Sequence, residues 1–239
     1  MLTRITTRLK QLVTKTVLIA DKITNSFRLL RLTRLKTYGT KKTYTVIDQL
    51  AQPATKNVKD YFGQINDIKA AKRFGTDNLK EYSHWAWRAC GIACVSSILK
   101  THSKPSVSLF SLTKEALNNN GYLFTGRSGA TDIGWKHQAL VDLLTKRGFK
   151  AQLSGVLSSE GILNKIARGA IFIASVQSRL FKTGRHMVLV TSFTWNGKNS
   201  RLRVTDPFLL DGNGGNKEVA LSEFKRYYIG RGIIVWPNY

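Results

Sequence analysis

The rhythm of apolar and polar positions changes three times along this chain. Over residues 1–36, Leu2, Ile5, Leu9, Leu12, Ile19, Ile23, Phe27 and Leu30 recur at steps of three, four or seven, which sets them on one stripe of a helix. Arg4, Arg8, Lys10, Lys15, Lys22, Arg28, Arg31 and Arg34 fill the other faces, and Asp21 is the only acid. Residues 37–80 are polar, open with Tyr-Gly-Thr-Lys-Lys and hold a lone Pro53, so they read as a linker with one or two weak helices. From about residue 81 the pattern tightens into what reads as a folded domain, residues 81–239, with residues 1–80 as a basic helical extension and linker.

Within that domain the spacing predicts a helix over Cys90 to Lys100, with Ile92, Val95, Ile98 and Leu99 inward, and a short one over Ser111 to Asn118. Asp132 reads as the N-cap of a helix running to Arg147, with Leu140, Leu143 and Leu144 inward and Gly148 closing it. Phe149 to Leu153 reads as a strand, and Ser159 caps a helix through Arg168 that Gly169 stops. Strands follow at Ala170–Val176, His186–Phe193, Leu202–Asp206 and Gly232–Trp236, with a short helix over Ser222 to Tyr228 before the last. Asn196-Gly197 is a turn signal between the second and third of these strands. Helices first and then a mostly antiparallel sheet make an α+β fold.

Composition narrows the function classes. A hydrophobic fraction of 42% and four prolines suit a folded chain, not a disordered one. The net charge of +24 favours anionic partners such as nucleic acid, an acidic membrane surface or an anionic polymer. That charge is spread out: residues 1–80 hold 17 Lys and Arg against 5 acids, and residues 81–239 hold 21 against 9. No sequence-recognition motif for nucleic acid accompanies it, so the charge is an electrostatic footprint and leaves nucleic acid open. No apolar run approaches the roughly 20 residues of a membrane span. The run Thr16-Val-Leu-Ile-Ala, followed by Asp21 and Lys22, is too short for a secretory signal. The first 36 residues therefore fit three roles: a helix packed on its own domain or a partner, a helix lying on an anionic membrane, or an organellar targeting segment.

The candidate chemistry comes from three short stretches. Ala89-Cys90-Gly91 puts a thiol at the opening of a helix, where the dipole favours an anion, and Gly91 leaves bare backbone for a substrate to approach. The other cysteine, Cys94, lies one turn on among apolar residues and reads as inert. Four residues apart on one helix, the two are poorly placed for a disulfide, which fits a reducing, cytoplasmic setting, with peripheral membrane contact as an option. His186 opens the apolar run Met-Val-Leu-Val, and Asp206 ends the next strand just before Pro207. A tight turn at Asn196-Gly197 makes those strands antiparallel, so the start of one lies beside the end of the other and His186 falls near Asp206. A carboxylate there fixes the imidazole tautomer and supports its charged form. His102 reads as a loop residue and His137 as part of a solvent-facing helix. His84, Cys90, Cys94 and His186 match no common structural zinc spacing, so no metal or cofactor is expected.

The stretch from His84 to Cys94 (His-Trp-Ala-Trp-Arg-Ala-Cys-Gly-Ile-Ala-Cys), Asp132-Ile-Gly-Trp, Gly184-Arg-His-Met-Val-Leu-Val and Asp206-Pro-Phe resemble the double-glycine-leader (bacteriocin-processing) cysteine peptidases and their standalone relatives. The resemblance runs over about residues 81–239, down to Leu221-Ser-Glu-Phe and Gly232-Ile-Ile-Val-Trp. It implies a papain-like fold with Cys90 as nucleophile, His186 as base and Asp206 as orienting acid. The family usually has a Gln six or seven residues before the cysteine that helps form the oxyanion hole. Here those positions are His84 and Ser83, so His84 is the expected donor beside the Cys90 N–H, or else a polar loop residue in a chain of altered activity. Trp85, Trp87 and Trp135 are candidates for walls of a substrate groove or for core. No phosphate loop accompanies the domain, so a standalone peptidase without the transporter is expected. The expected function is hydrolysis of a peptide bond, after small residues, through a thioester. The alternative is a catalytically weak papain-fold module that binds an anionic partner, either a membrane surface or nucleic acid.

Overall fold

The computed structural model describes residues 2–51, 62–125, 131–177, 185–209 and 214–237; Pro53 and the Thr183-Gly184 pair ahead of His186 lie outside them. In chain order the elements are α1 (Leu2–Leu29), β1 (Thr37–Gly39), α2 (Ile68–Phe74), α3 (Leu79–Ala86), α4 (Cys90–Thr101), α5 (Leu109–Asn118), β2 (Tyr122–Thr125), β3 (Thr131–Trp135), α6 (His137–Thr145), β4 (Lys150–Leu153), α7 (Ser159–Ala167), β5 (Ile171–Gln177), β6 (Arg185–Thr194), β7 (Arg201–Asp206), β8 (Gly215–Ala220), α8 (Leu221–Tyr227) and β9 (Tyr228–Trp236). One antiparallel sheet runs β4-β9-β5-β6-β7-β8, and β1 pairs with the far end of β6.

Two cores cover the sheet. Ile171, Ile173, Met187, Leu189, Ile233 and Val235 pack under α4 and α6, while Phe172, Ala174, Val188, Val190 and Ile234 join Ile162, Leu163 and Ile166 of α7. This explains the unbroken apolar runs Ile171–Ala174 of β5 and Met187–Val190 of β6: a strand covered on both sides has no solvent face to leave polar. In α4, Ile92, Ala93, Cys94, Val95, Ser97, Ile98 and Leu99 are all buried, so the helix is enclosed on nearly every side.

Several expectations need correction. Residues 37–51 are not a linker outside the domain. β1 pairs Thr37, Tyr38 and Gly39 with Thr194, Phe193 and Ser192, and Tyr44 and Leu50 are core residues, each 1% exposed. The Ser97 hydroxyl donates to the Thr45 carbonyl (2.6 Å) and the Tyr82 hydroxyl to that of Leu50. A three-residue strand and two isolated apolar side chains are too few to leave a period in the sequence, which is why the boundary drawn at residue 80 misplaces them. Asp132 is no N-cap: it lies in β3, which pairs with β2, and α6 opens at His137. The strand β8 alternates half-buried and exposed positions at the sheet edge, a pattern with too little apolar signal to be read.

The first helix does pack on the domain, but not by the stripe its sequence advertises. Its inner edge is Asp21, Asn25 and Leu29, which meet α7 and the second core. If residues 37–51 are integral, Leu50→Ala should cost about 3 kcal/mol in urea unfolding, as a core leucine does; a leucine in a detached linker would cost less than about 0.5 kcal/mol.

Candidate active site

The site forms where the buried helix meets the sheet. α3 ends at Ala86, and a turn through Trp87–Ala89 starts α4 at Cys90. The helix lies on β6, with the Cys94 thiol donating to the Met187 carbonyl at 3.6 Å. Gly91 is buried here, and a Cβ on it would sit 2.8 Å from both Leu140 Cδ1 and Met187 Sδ. Its bareness thus serves the close packing of α4 on β6 and α6, which corrects the expectation that it opens the backbone to substrate.

His186, the second residue of β6, and Asp206, the last of β7, meet across the antiparallel pair as the turn at Asn196-Gly197 requires. Nε2 of His186 lies 2.8 Å from Asp206 Oδ1, and Cys90 lies close enough to the same imidazole to act on its pKa. With Nε2 on the carboxylate, Nδ1 is the nitrogen left for the thiol. Burial alone works to lower the His186 pKa, but the hydrogen bonds and charges of Asp206 and Cys90 outweigh it and raise the value from 6.5 to about 10. Burial likewise opposes the Asp206 charge; His186, Lys217 and the Phe208 N–H hold it below the ordinary aspartate value. Lys217 Nζ reaches Oδ2 at 3.1 Å, and the Phe208 N–H donates to Oδ1 at 3.1 Å, so both carboxylate oxygens are engaged. Burial, then the charges of Cys90 and Asp206, push the Cys94 thiol well above its ordinary value.

Cys90, His186 and Asp206 line a cleft of about 1280 Å³, as do Trp87 and Trp135. Trp135 is anchored by its indole N–H on the Arg88 carbonyl (2.6 Å) and Trp87 by its own on the Gly63 carbonyl (2.9 Å). Trp85 is not among the lining residues; it packs among Tyr122, Phe124 and Trp135. The structure also leaves His84 out of the cleft. Tyr82, Ser83 and Ala86 are the buried face of α3, so His84, two residues past Tyr82, points outward, with its ring against Trp85 and Phe124. The oxyanion-donor expectation for His84 therefore finds no support in its placement. As the first residue of α4, Cys90 carries a backbone N–H that the helix itself does not use.

Three residues of the site region escaped the sequence reading. Gln49 lines the cleft from the segment taken as linker. Its amide nitrogen donates to the Ala86 and Trp87 carbonyls (3.2 and 3.3 Å) and its backbone N–H to the Pro207 carbonyl (2.9 Å), tying the turn before Cys90 to the loop after Asp206. Both amide hydrogens are taken up by carbonyls, which makes Gln49 a positioning residue for the turn. Nothing in the polar stretch around it signals this. Lys217 was hidden in the unread edge strand. His137, expected on a solvent-facing helix, is half-buried, shares a 2.7 Å hydrogen bond with Ser175 and lines the cleft. Burial, and then Arg231 and Arg185, lower its pKa, so it is held neutral. His102 is also half-buried, sharing a 2.9 Å hydrogen bond with the Tyr44 hydroxyl.

Residues 76–233 match the model of the Peptidase_C39 like family, and the chain belongs to that family of cysteine peptidases. The chain is similar to the peptidase domain of Streptococcus ComA, a bi-functional ABC transporter of a quorum-sensing pathway, at 19% identity over 63% of this chain and 93% of that one (TM-score 0.45). It is similar to a C39-like peptidase from Bacillus anthracis at 13% identity over 62% and 88% of the two chains (TM-score 0.47). A third similar structure is a double glycine motif protease from an AMS/PCAT transporter in complex with a leader peptide, 16% identical over 61% and 82% (TM-score 0.39). No curated protein matches. The mixed helix and antiparallel-sheet fold is that of the papain-like C39 peptidases. The match begins at residue 76, so α1, β1, Tyr44 and Gln49 stand outside it.

The raised His186 value carries a pH dependence. Because the folded value lies above the ordinary 6.5, the stabilisation it brings is complete below about pH 6.5 and disappears as pH rises through about 10. The melting-temperature gap between wild type and Asp206→Asn is expected to be widest near about pH 6 and to narrow toward pH 10. The imidazole resonance of His186 should titrate lower in that variant. A gap that stays constant over this range would remove the linkage.

Proposed function

We propose that this protein is a cysteine peptidase in which Cys90, His186 and Asp206 form the catalytic triad. The observation that carries the reading is the imidazole held between the Cys90 thiol and the Asp206 carboxylate at the head of α4, inside a cleft, in a chain of a cysteine peptidase family. The thiol proton passes to His186, and Cys90 Sγ attacks the substrate carbonyl carbon. A C–S bond forms, and the carbonyl oxygen becomes an oxyanion facing the Cys90 N–H. His186 gives its proton to the leaving nitrogen as the C–N bond breaks, leaving a thioester. Water, deprotonated by His186, then attacks the thioester, the C–S bond breaks and the acid leaves. Asp206 keeps the imidazole oriented and charged, while Lys217 and the Phe208 N–H hold the carboxylate. Small residues at the cut follow from the resemblance to double-glycine-leader peptidases, and the cleft walls Trp87 and Trp135 are the surfaces a peptide meets beside the thiol.

Iodoacetamide labelling read by mass spectrometry tests the triad. Cys90 should label fast near neutral pH and Cys94 slowly, and His186→Ala should slow Cys90 labelling by about 100-fold or more. Cys90→Ala should abolish cleavage of a peptide library, and Cys94→Ala should retain it. Labelling of Cys90 as slow as that of Cys94, and indifferent to His186→Ala, would sink the peptidase reading in favour of a binding module.

A further inference from the structure

The single acid of the first helix and its apolar stripe face opposite ways. Asp21 accepts hydrogen bonds from the N–H (2.8 Å) and the hydroxyl of Ser158 at the start of α7, Asn25 bonds Asn164 (2.9 Å), and Leu29 is buried. Ile19, Ile23 and Phe27 each lie two positions from one of these, about 200° round the helix. With Leu12 and Leu30 they point outward, at 53% to 75% exposure. A surface helix ordinarily buries its stripe; here the domain takes the Asp21–Asn25 edge and leaves an apolar ridge about 27 Å long open. Exposed Lys15 and Lys22 border the ridge on one rim. Among the described residues neither forms an ion pair.

We infer that the outer face of α1 docks on the surface of an anionic lipid bilayer. An apolar ridge with a cationic rim is matched by acyl chains beneath negative headgroups, and the helix lies in the interface plane. With Asp21 turned inward, the outer face presents no carboxylate to repel those headgroups. A second copy is a poor occupant, because it would bring a charge of +24 against +24. Among the described residues no helix is long and apolar enough to cross a membrane. The inner side of the same helix, at Thr14 and Leu18, borders a small cavity with His137 and Arg231, which also line the main cleft. Docking of α1 therefore holds the cleft at a set position beside the bilayer. The inference does not rest on the chemistry at Cys90.

Flotation of the full chain with phosphatidylcholine vesicles, with and without phosphatidylserine, tests it. Wild type should float with the anionic vesicles, less so at high salt, and remain behind with the neutral ones. The triple variant Ile19→Ser, Ile23→Ser, Phe27→Ser should lose about tenfold or more of that binding with its melting temperature nearly kept, since these side chains are each more than half exposed. Lys15→Gln with Lys22→Gln, which leaves the apolar ridge intact, should weaken binding to anionic vesicles, and Cys90 labelling should be the same in all forms. Equal flotation of wild type and both variants, or no flotation of wild type, overturns the inference. So does self-association that the serine variant abolishes, which would make a second copy the occupant.

Discussion

A helix apolar on nearly every side can be stable only if it is enclosed, and α4 is enclosed by lying on β6 with α5, α6 and the core residues of α2 and α3 around it. That requirement places Cys90. The first residue of such a helix is the point at which the chain enters the core, so its thiol sits at the lip of the sheet, beside the strand that carries His186. Gly91 lets the approach be close, since any larger residue would meet Leu140 and Met187. The geometry of the site is thus a consequence of packing a buried helix on a strand, and the meeting of the three side chains follows from it.

Around this contact the charges are ordered by burial. His186 would shed its proton in so enclosed a place were Asp206 and Cys90 not beside it. Asp206 would resist ionisation without Lys217, the Phe208 N–H and His186 itself. Cys94, a turn further into the core and surrounded by apolar groups, has no such support, and its thiol is held neutral. Two cysteines of one helix thus have different surroundings, one at the helix mouth beside His186 and the other within the core.

The segments ahead of the family match are part of the same molecule. Residues 37–51 add a strand to β6, two core side chains and the Gln49 amide that ties the turn before Cys90 to the loop after Asp206. The first helix completes the second core through Leu29 while holding its apolar ridge to the outside. What reads in sequence as an extension is thus in part scaffold for the site and in part a helix with an exposed apolar ridge.

Much of this was legible without coordinates. The dense apolar runs of β5 and β6, the buried helix after Cys90 and the turn at Asn196-Gly197 are local patterns, and from them follow the antiparallel pair and the meeting of His186 with Asp206. Other features were settled only when the elements packed. His84 has the right chemistry and spacing, yet Tyr82, Ser83 and Ala86 claim the inner face of α3 and turn it outward. Gln49 and Lys217 reach the site from a patternless segment and an edge strand. The stripe of α1 was plain in the sequence, but which way it faces was decided by Asp21 and Asn25 bonding to α7. Periodicity along a chain says which residues share a face; only the competition among elements for the core says which face is covered.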